Sequence, residues 1–592
     1  DIASVTMLGD TGAAYLTPTL NITALISGDS ASGINKTGNG ILQLGAANTF
    51  GGPTTISAGT IKYGIANALP TGTALTIGAT GTLDLNTFNA TVGSLAGSAG
   101  AVVINSAFTG SNTFTVGGDN TSTTYGGVLS NAFGSTLNFT KTGTGTLTLT
   151  NTGSNFLGKT VIQNGAVSTP SINSVVGGTA TSGLGAPITV AAGTIDIGST
   201  TNSATLIYTG AGETTDRVIN MAGTTGGAGI ESSGSGALVF TSPITITGVG
   251  NKTLRLGGTN TDDNNFASPI LNGTGSVISL AKDGPGKWLL GVSNGYGGST
   301  TINGGLLQLA PSSLSIIPDR SPVILADVAG ALLDLNGNSE TIGSLAGGGT
   351  AGGNVSLTGT GSLTIGLDNT TTSFLGSITG GSTGGLTKVG SGVQTLGGTN
   401  TFTGNVAISN MNGQTGGGLI LSGGSALVDT VRVRNSGWQT TFGITSSETI
   451  GSLTASTNTG LTLGAGATLT STYTNGSNIV VSALADSDNS FRVIKLDRST
   501  SDLAPGMFIT GTTGITTTGG TILQIIDGNT VLINQTPGAT VANIPTVTIT
   551  PTSVLGSAMS GAGGFTKSGA GDLFLTGSST HSGATTLNDV TT

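Results

Sequence analysis

The sequence predicts an all-β protein, an elongated parallel β-solenoid, from three observations. Glycine is unusually frequent, with 105 among 592 residues, which disfavours helices. Short runs of alternating apolar and polar residues recur throughout, and no window keeps a helical period. One pattern of glycine, lysine and apolar residues also returns five times. Apolar residues make up 36% of the chain, so this composition is typical of strands rather than of a disordered linker.

The repeated pattern is Lys-x-Gly-x-Gly, as in "FTKTGTGTLTL" from Phe139 to Leu149. An apolar residue lies two positions before each lysine, and an aromatic residue follows about fourteen positions later. The five lysines are Lys36, Lys141, Lys282, Lys388 and Lys567. The aromatic position holds Phe50, Phe156, Tyr296, Phe402 and, in the fifth copy, His581. Agreement at so many positions predicts five copies of one structural unit.

Each unit holds three short strand-like runs within about 20–25 residues. The turns between them lack the two-residue signals of β-hairpins. Three such runs fit three sides of one solenoid coil, which pairs with the coils above and below and buries a continuous apolar column. A string of separate β-sandwiches is the alternative, and short strands with few Trp and Tyr anchors disfavour it.

Two further motifs flank the lysine units. Residues 114–129, 254–271 and 363–378 each combine a strand, a glycine, an asparagine turn and an aromatic residue. The motif "GSL" closes residues 91–95, 341–345 and 449–453. The usual order along the chain is the asparagine turn, the lysine unit and then the "GSL" unit, which indicates larger modules with variable sequence between them.

The sequence predicts three segments. Residues 1–471 form a β-solenoid with four lysine units, and residues 551–592 continue it with the fifth, which stops within the repeat as expected of a truncated chain. Residues 472–550 contain clearer hairpin signals, such as "IIDGNTVLI" at 525–533. They predict a small inserted β-barrel or sandwich module.

The lysine unit resembles the autotransporter-associated β-strand repeat, also called the passenger-associated transport repeat. Residues 34–62, 139–168, 280–309, 386–410 and 565–588 carry the resemblance. It implies a right-handed β-helix in a large exported bacterial surface protein, often an adhesin or a structural stalk. Proteins of this family commonly end in an outer-membrane barrel, and no segment here resembles one.

Composition excludes several functions. The net charge of −9 is spread thinly and no Lys/Arg cluster could follow a nucleic-acid backbone. No run of 18 apolar residues predicts a transmembrane helix. Cysteine is absent, which excludes disulfides and thiolate metal sites. We therefore expect no cofactor, no bound metal and no nucleic-acid partner.

The candidates for chemistry each have a structural explanation. His581 occupies an aromatic position of the repeat, which favours packing over catalysis. Asp262 and Asp263 belong to a turn, and the acidic run 485–490 does not follow an EF-hand pattern. Trp438 lies beside two arginines in "VRVRNSGWQTT" and is a candidate sugar-binding surface, with partial core packing as the alternative. We expect no catalytic residues.

Strand parity predicts the place of the repeat lysine. Phe139, Lys141, Leu147 and Leu149 share one parity, so a continuous strand would point the lysine into the core. A corner at the following glycines would let the ammonium reach carbonyl oxygens. We expect all five lysines to lie at coil corners with such partners.

The predicted function is structural and non-enzymatic. The sequence is typical of an extracellular or cell-surface bacterial protein whose signal peptide is not in this chain. The solenoid would act as a stalk, an adhesin or a self-assembling fibre or sheath subunit, with head-to-tail or lateral self-association. Glycans or other cells are possible partners. The alternative is a polysaccharide-degrading or carbohydrate-binding β-helix protein.

Overall fold

The fold was obtained as a computed structural model. It describes residues 19–132, 134–311, 315–381, 384–410, 414–455 and 459–472. Beyond these it describes the backbone of strands between 479 and 588, with the side chains of 559–566 and 579–586. The chain divides into two compact units, Asp1–Ala310 and Pro311–Thr592.

The first unit consists of short strands and one helical turn. Its strands are β1 (Thr19–Ile22), β2 (Ile34–Lys36), β3 (Ile41–Leu44), β4 (Thr54–Tyr63), β5 (Ala74–Asp84), β6 (Ala90–Val92), β7 (Ser94–Gly97), β8 (Val102–Asn105), β9 (Gly110–Val116), β10 (Thr123–Tyr125), β11 (Val128–Asn131), β12 (Ser135–Lys141), β13 (Thr146–Leu149), β14 (Thr160–Ile162), β15 (Gly165–Thr169), β16 (Ile195–Ile197), β17 (Ala204–Tyr208), β18 (Ala211–Thr215), β19 (Ile219–Met221), β20 (Ala228–Ser232), β21 (Gly236–Phe240), β22 (Thr245–Ile246), β23 (Lys252–Gly257), β24 (Asn265–Phe266), β25 (Ile278–Lys282), β26 (Lys287–Leu290), β27 (Thr300–Ile302) and β28 (Leu306–Leu309). The helical turn is α1 (Val190–Gly193).

Strands of this unit pair in parallel with strands one coil away. Phe139 of β12 pairs with Phe114 of β9 on one side and with Thr160 of β14 on the other. Apolar side chains point inward and threonines outward, as in β13, where Leu147 and Leu149 are buried. Stacking therefore buries a column of aliphatic side chains that no single coil could bury alone.

One coil of the first unit carries a longer loop. Thr160 of β14 pairs with Ile195 of β16, 35 residues further along the chain, whereas most coils are shorter. The extra residues lie between β15 and β16 and include α1, whose first turn is capped by the Thr189 hydroxyl. The register of the solenoid continues on both sides of this loop.

The second unit is built in the same way. Its strands are β29 (Val323–Leu325), β30 (Leu332–Asp334), β31 (Ser339–Ile342), β32 (Leu345–Gly347), β33 (Asn354–Ser356), β34 (Ser362–Ile365), β35 (Thr372–Phe374), β36 (Ile378–Thr379), β37 (Leu386–Lys388), β38 (Val393–Leu396), β39 (Val406–Ile408), β40 (Gly418–Leu421), β41 (Arg432–Asn435), β42 (Thr441–Ile444), β43 (Glu448–Ile450), β44 (Ser452–Ala455), β45 (Gly460–Leu463), β46 (Thr468–Thr472), β47 (Ile479–Ala483), β48 (Val493–Lys495), β49 (Phe508–Gly511), β50 (Gly520–Ile525), β51 (Thr530–Ile533), β52 (Ile544–Thr550), β53 (Ser553–Leu555), β54 (Ala558–Gly561), β55 (Gly564–Ser568), β56 (Leu573–Leu575) and β57 (Thr585–Asn588).

Parallel pairing again runs from coil to coil. On one side β31, β34, β37, β39, β41 and β44 follow one another in register. On another side β38, β40, β42 and β45 do the same. The all-β parallel solenoid that the sequence predicts is thus confirmed.

Six strands in the second unit pair differently. Strands β47–β52 form an antiparallel sheet in the order β47, β52, β49, β50, β51, β48. The parallel solenoid resumes directly after them, because β44, β45 and β46 pair with β53, β54 and β55. The antiparallel strands therefore interrupt the chain between two stacked coils. Their closure into a barrel or sandwich stays a prediction.

Candidate functional site

Four repeat lysines lie at coil corners with their ammonium groups bonded to carbonyl oxygens. Lys36, Lys141, Lys282 and Lys388 each end a strand, and each is at most 1% exposed. Each donates to the carbonyl oxygens of the next two residues, with Nζ–O distances of 3.0 and 2.6 Å for Lys36, 2.5 and 2.9 Å for Lys141, 2.9 and 2.9 Å for Lys282, and 2.5 and 3.1 Å for Lys388. Burial of these cations is tolerated because charged hydrogen bonds replace water.

The corner backbone is shaped for this contact by glycine. The glycine two residues after each of these lysines has a positive φ of 65–73°, which turns the chain so that two successive carbonyls face the ammonium. A third carbonyl comes from the next coil in two corners. Lys36 donates to Ala58 at 3.0 Å and Lys282 donates to Gly304 at 2.9 Å. The lysine thus joins two coils as well as closing its own corner.

Burial changes the acidity of these lysines. It lowers the pKa of Lys141, Lys282 and Lys388 to about 8, and it lowers the pKa of Lys36 as well. The negative charge of Asp283 raises the pKa of Lys282, and that of Asp368 raises the pKa of Lys388. Both charges oppose part of the shift that burial causes. A low lysine pKa also occurs in catalytic sites. Here each ammonium is enclosed by main chain, so the geometry gives it a structural contact instead of access to a substrate.

The fifth lysine unit is only partly described. The backbone of Lys567 pairs with Ser471 and Leu587, in the register of the other copies, but its side chain lies outside the described residues. His581, at the aromatic position of this copy, is partly exposed, and its Nε2 lies 2.8 Å from the Thr585 hydroxyl. The described residues thus place the histidine beside a hydroxyl rather than in a fully buried position.

The aromatic positions of the other four copies are buried in the core. Phe50, Phe156, Tyr296 and Phe402 are at most 2% exposed. Trp288, which replaces an aliphatic residue in the third copy, is also buried and donates from its indole nitrogen to the Gly257 carbonyl at 2.8 Å. It stacks on Phe266, which in turn stacks on Phe240 one coil further back. These aromatic side chains stabilise the stack of coils.

A buried asparagine two residues before the aromatic position was not singled out from the sequence. Asn48 accepts from the amide of Ile26 at 2.7 Å and donates to the carbonyl of Ala68 at 2.7 Å. It therefore bridges the coils on both sides, and Asn400 makes the equivalent bonds. The repeated "NTF" of the first and fourth copies is the signal that could have located it.

Two buried glutamates also escaped the sequence analysis. Glu340 accepts from the amides of Ile316 and Ile317, and Glu448 accepts from those of Ala426 and Leu427. Burial raises the pKa of both carboxyl groups, that of Glu340 to about 7. Both begin the identical string "ETIGSL", a repetition that could have marked them. Each holds a loop of the preceding coil in place.

A third charged cluster fixes the long loop of the first unit. Arg217 is fully buried and donates to the carbonyls of Gly193 at 2.6 Å and Leu184 at 2.9 Å. Glu213 and Asp216 accept backbone amides of the same loop. These three residues therefore position the loop.

The acidic pair considered from the sequence, Asp262 and Asp263, has two separate sets of contacts. The Asp262 carboxylate contacts the Asn260 side chain at 3.3 Å within its own turn. Asp263 forms an ion pair with Lys287 at 2.6 Å and is largely exposed. The two carboxylates thus have separate partners, an arrangement unlike the facing acids of a glycosidase. The run 485–490 lies outside the described residues.

Trp438 lies on the surface. Its side chain is 55% exposed, at the tip of the loop between β41 and β42. The amide of Gly416, in the loop before β40, donates to the Trp438 carbonyl at 3.0 Å. Partial core packing, the alternative considered from sequence, does not describe a side chain this exposed.

Two other searches of the described residues gave no site. No three of their His, Asp and Glu side chains are grouped as metal ligands would be. Among the described residues, no helix has the length and the apolar character of a membrane-spanning helix.

The buried lysine corners on a parallel β-solenoid define a class of repeat protein. The chain matches the Passenger-associated-transport-repeat family at residues 34–62, 139–168, 280–309, 386–410 and 565–589. These are the five lysine units, so the resemblance predicted from the sequence is confirmed.

A curated relative extends this likeness beyond the repeats. The chain is 31% identical over 290 residues to the "Adhesin BmaC autotransporter" of Brucella suis biovar 1 (strain 1330). The aligned region is 48% of this chain and 8% of that adhesin, so the chain spans a small part of its relative's length. No solved structure matches the chain.

Proposed function

We propose that this chain is a β-solenoid segment of an adhesin-like bacterial surface protein, located outside the cell and acting without catalysis. The solenoid serves as a stalk, and residues 472–550 form a separate module carried between residues 1–471 and 551–592. The observation that carries the proposal is the recurrence of the buried lysine corner in segments that match passenger-associated transport repeats.

The physical design suits an exposed stalk. The described coils pair in parallel with the coils beside them, and threonine side chains point outward in strands such as β13. Strands paired in this way give a protease little extended chain to bind. The similarity to an autotransporter adhesin supports the same conclusion.

Adhesion can be tested with the purified chain. Beads coated with it should bind cultured host cells or extracellular matrix more strongly than albumin-coated beads. Antibodies against residues 19–472 should also label intact bacteria that produce the protein. Equal binding of the two kinds of bead would contradict the adhesive role, and labelling only after cell lysis would contradict the location.

A self-assembling fibre or sheath subunit is the second form that we propose. Parallel strands at the end of a stack offer unpaired backbone groups that a second copy could extend. Light scattering and electron microscopy over a range of concentrations test this form. A chain that stays monomeric at every concentration would exclude it and leave the stalk proposal intact.

A further inference from the structure

A groove lies alongside the long loop of the first unit, which joins β15 to β16. Its volume is about 610 Å³, within the range of ligand sites in proteins. One wall is formed by Asn131, Asn155 and Leu157 on two successive coils, and the loop forms the other wall, including Ser174 and Ile188. Asn155 and Ile188 are exposed, so the groove is open to solvent. Loops of this length within a compact fold often carry function.

The loop wall is fixed by buried hydrogen-bonding groups. Asp216 accepts the amide of Val175 at 2.5 Å. Asn173 is buried, donates from its side chain to the Thr179 carbonyl at 2.7 Å and accepts the Thr179 amide at 2.8 Å. Arg217 holds the base of the same loop. The wall is therefore in place before a ligand arrives, and binding requires little ordering of the protein.

The wall on the coils offers one free amide group. Asn131 accepts the Leu157 amide at 2.8 Å and donates to the Ala132 carbonyl at 3.2 Å, so both of its polar atoms are used within the solenoid. The exposed side chain of Asn155, by contrast, forms no hydrogen bond with any described residue. It presents a donor and an acceptor side by side, which matches the acceptor and donor of a peptide backbone.

The composition of the two walls selects the class of ligand. None of the described residues that line the groove is ionisable or aromatic. A charged ligand would thus find no opposite charge, and a sugar ring would find no aromatic face to stack on. Aliphatic surface is available instead, because Ile188 is 74% exposed and Leu157 and Val175 are only partly buried. Covering this surface with an apolar side chain would remove it from water.

We propose that the groove binds an extended, uncharged peptide segment of another protein. An aliphatic side chain of that segment packs against Ile188 and Leu157, and the Asn155 amide pairs with its backbone. This inference rests on the proposed adhesive function and names the chemistry of the partner, a protein on the surface to which the chain adheres.

Peptide selection tests the groove. The probe is a phage-displayed library of random linear heptapeptides, selected on the immobilised full chain after depletion on the Ile188→Asp variant. The selected peptides should share an aliphatic residue flanked by uncharged residues. Fluorescein-labelled copies of them should bind the chain in solution saturably, as measured by fluorescence polarisation.

Matched variants locate the binding. Ile188→Asp should weaken it at least about tenfold, and Asn155→Ala should weaken it severalfold. Val249→Asp is the control and should bind like the wild-type chain, because Val249 is an aliphatic side chain of the same unit, 66% exposed, that does not line the groove. Unchanged amide protection of residues 170–189 verifies that the loop is folded in each variant. Ile188→Ala, which adds no charge, replaces Ile188→Asp if that protection is lost.

Several outcomes would overturn the peptide groove. One is the absence of peptide binding at concentrations up to about 1 mM, and another is equal binding by the wild-type chain and the Ile188 variant. Calorimetry that detects cellotetraose or heparin tetrasaccharide in the groove, but no peptide, would overturn it as well. So would a wild-type dimer that Ile188→Asp converts to a monomer, since a second copy would then occupy the groove.

The bead assay separates this inference from the proposed function. Adhesion of the chain to cells without any peptide binding would leave the adhesive role intact and overturn the groove. Peptide binding that Ile188→Asp weakens, without adhesion, would support the groove and contradict the adhesive role.

Discussion

Lys282 and Gly304 are joined across two coils by a hydrogen bond of 2.9 Å from the lysine ammonium to the glycine carbonyl. Together with the bonds to Asp283 and Gly284, it surrounds a buried cation with three carbonyl oxygens. The same arrangement occurs at Lys36, so two of the four described lysine corners have it.

Replacing Lys282 with methionine should destabilise its coil. Methionine fills a similar volume but leaves three carbonyl oxygens without their donor, which costs at least about 2 kcal/mol. Faster hydrogen exchange in the peptide 280–309 would measure the loss. Lys159→Met is the control, because Lys159 lies at the surface, where its partly exposed ion pair with Asp196 contributes about 1 kcal/mol. Equal effects of the two substitutions would contradict the role of the corner.

Glu340 should make the stability of its coil depend on pH. Its pKa in the folded chain is about 7, above the ordinary value of 4.5, because burial disfavours the charged form. The folded chain therefore binds more protons between these values, and stability should fall as the pH rises from about 4.5 through 7, by no more than about 3 kcal/mol. Hydrogen exchange around residues 315–317, corrected for intrinsic rates, measures this. Glu340→Gln should remove this pH dependence. If the wild-type protein and the variant showed parallel pH profiles of stability, Glu340 would not be its source.

Gly305 should tolerate alanine less well than Gly359. Both have a positive φ, 64° and 57°, so alanine is strained at either position by about 1–2 kcal/mol. A Cβ at Gly305 would also lie 2.4 Å from the Gly286 carbonyl and 2.7 Å from Lys282 Nζ, whereas nothing lies within 4 Å at Gly359. Local hydrogen exchange in the two alanine variants should show a clearly larger loss at Gly305. Similar losses of protection in the two variants would mean that the atoms around Gly305 move aside at little cost in free energy.

Removal of the interrupting strands should leave the solenoid intact. Residues 473–552 can be replaced by a short Gly/Asn turn, because β44, β45 and β46 pair in order with the strands that follow the interruption. The shortened chain should keep the amide protection of β44–β46 found in the full chain. Loss of that protection would show that the two coils depend on the removed segment.

The repeats made much of this fold predictable. Five aligned lysines and their spacing indicated coils, corners and carbonyl partners, because stacking repeats the same contacts in each copy. The depth of burial of Lys141 was not predictable, since it depends on how closely the neighbouring coils approach Gly143. Glu340 and Glu448 were missed because their partners are backbone amides about one coil away, which leave no mark on side-chain patterns.

The surface position of Trp438 was predictable only in outline. The sequence singled out Trp438 by its rarity and its neighbours. Its exposure depends on how its loop meets the loop before β40, where the Gly416 amide donates to the Trp438 carbonyl. The spacing of residues along the sequence does not show which loops of different coils come into contact.

The lysine corners also give the solenoid a chemical direction. Lys36 and Lys282 find their third carbonyl in the coil that follows them along the chain, never in the one before. If the solenoid ended just after such a corner, the lysine ammonium would lack its third carbonyl acceptor. If the solenoid began at that corner, the ammonium would keep all three. Addition of the next coil on the C-terminal side therefore gives these two ammonium groups their third acceptor, so stacking in that direction gains one charged hydrogen bond at each corner.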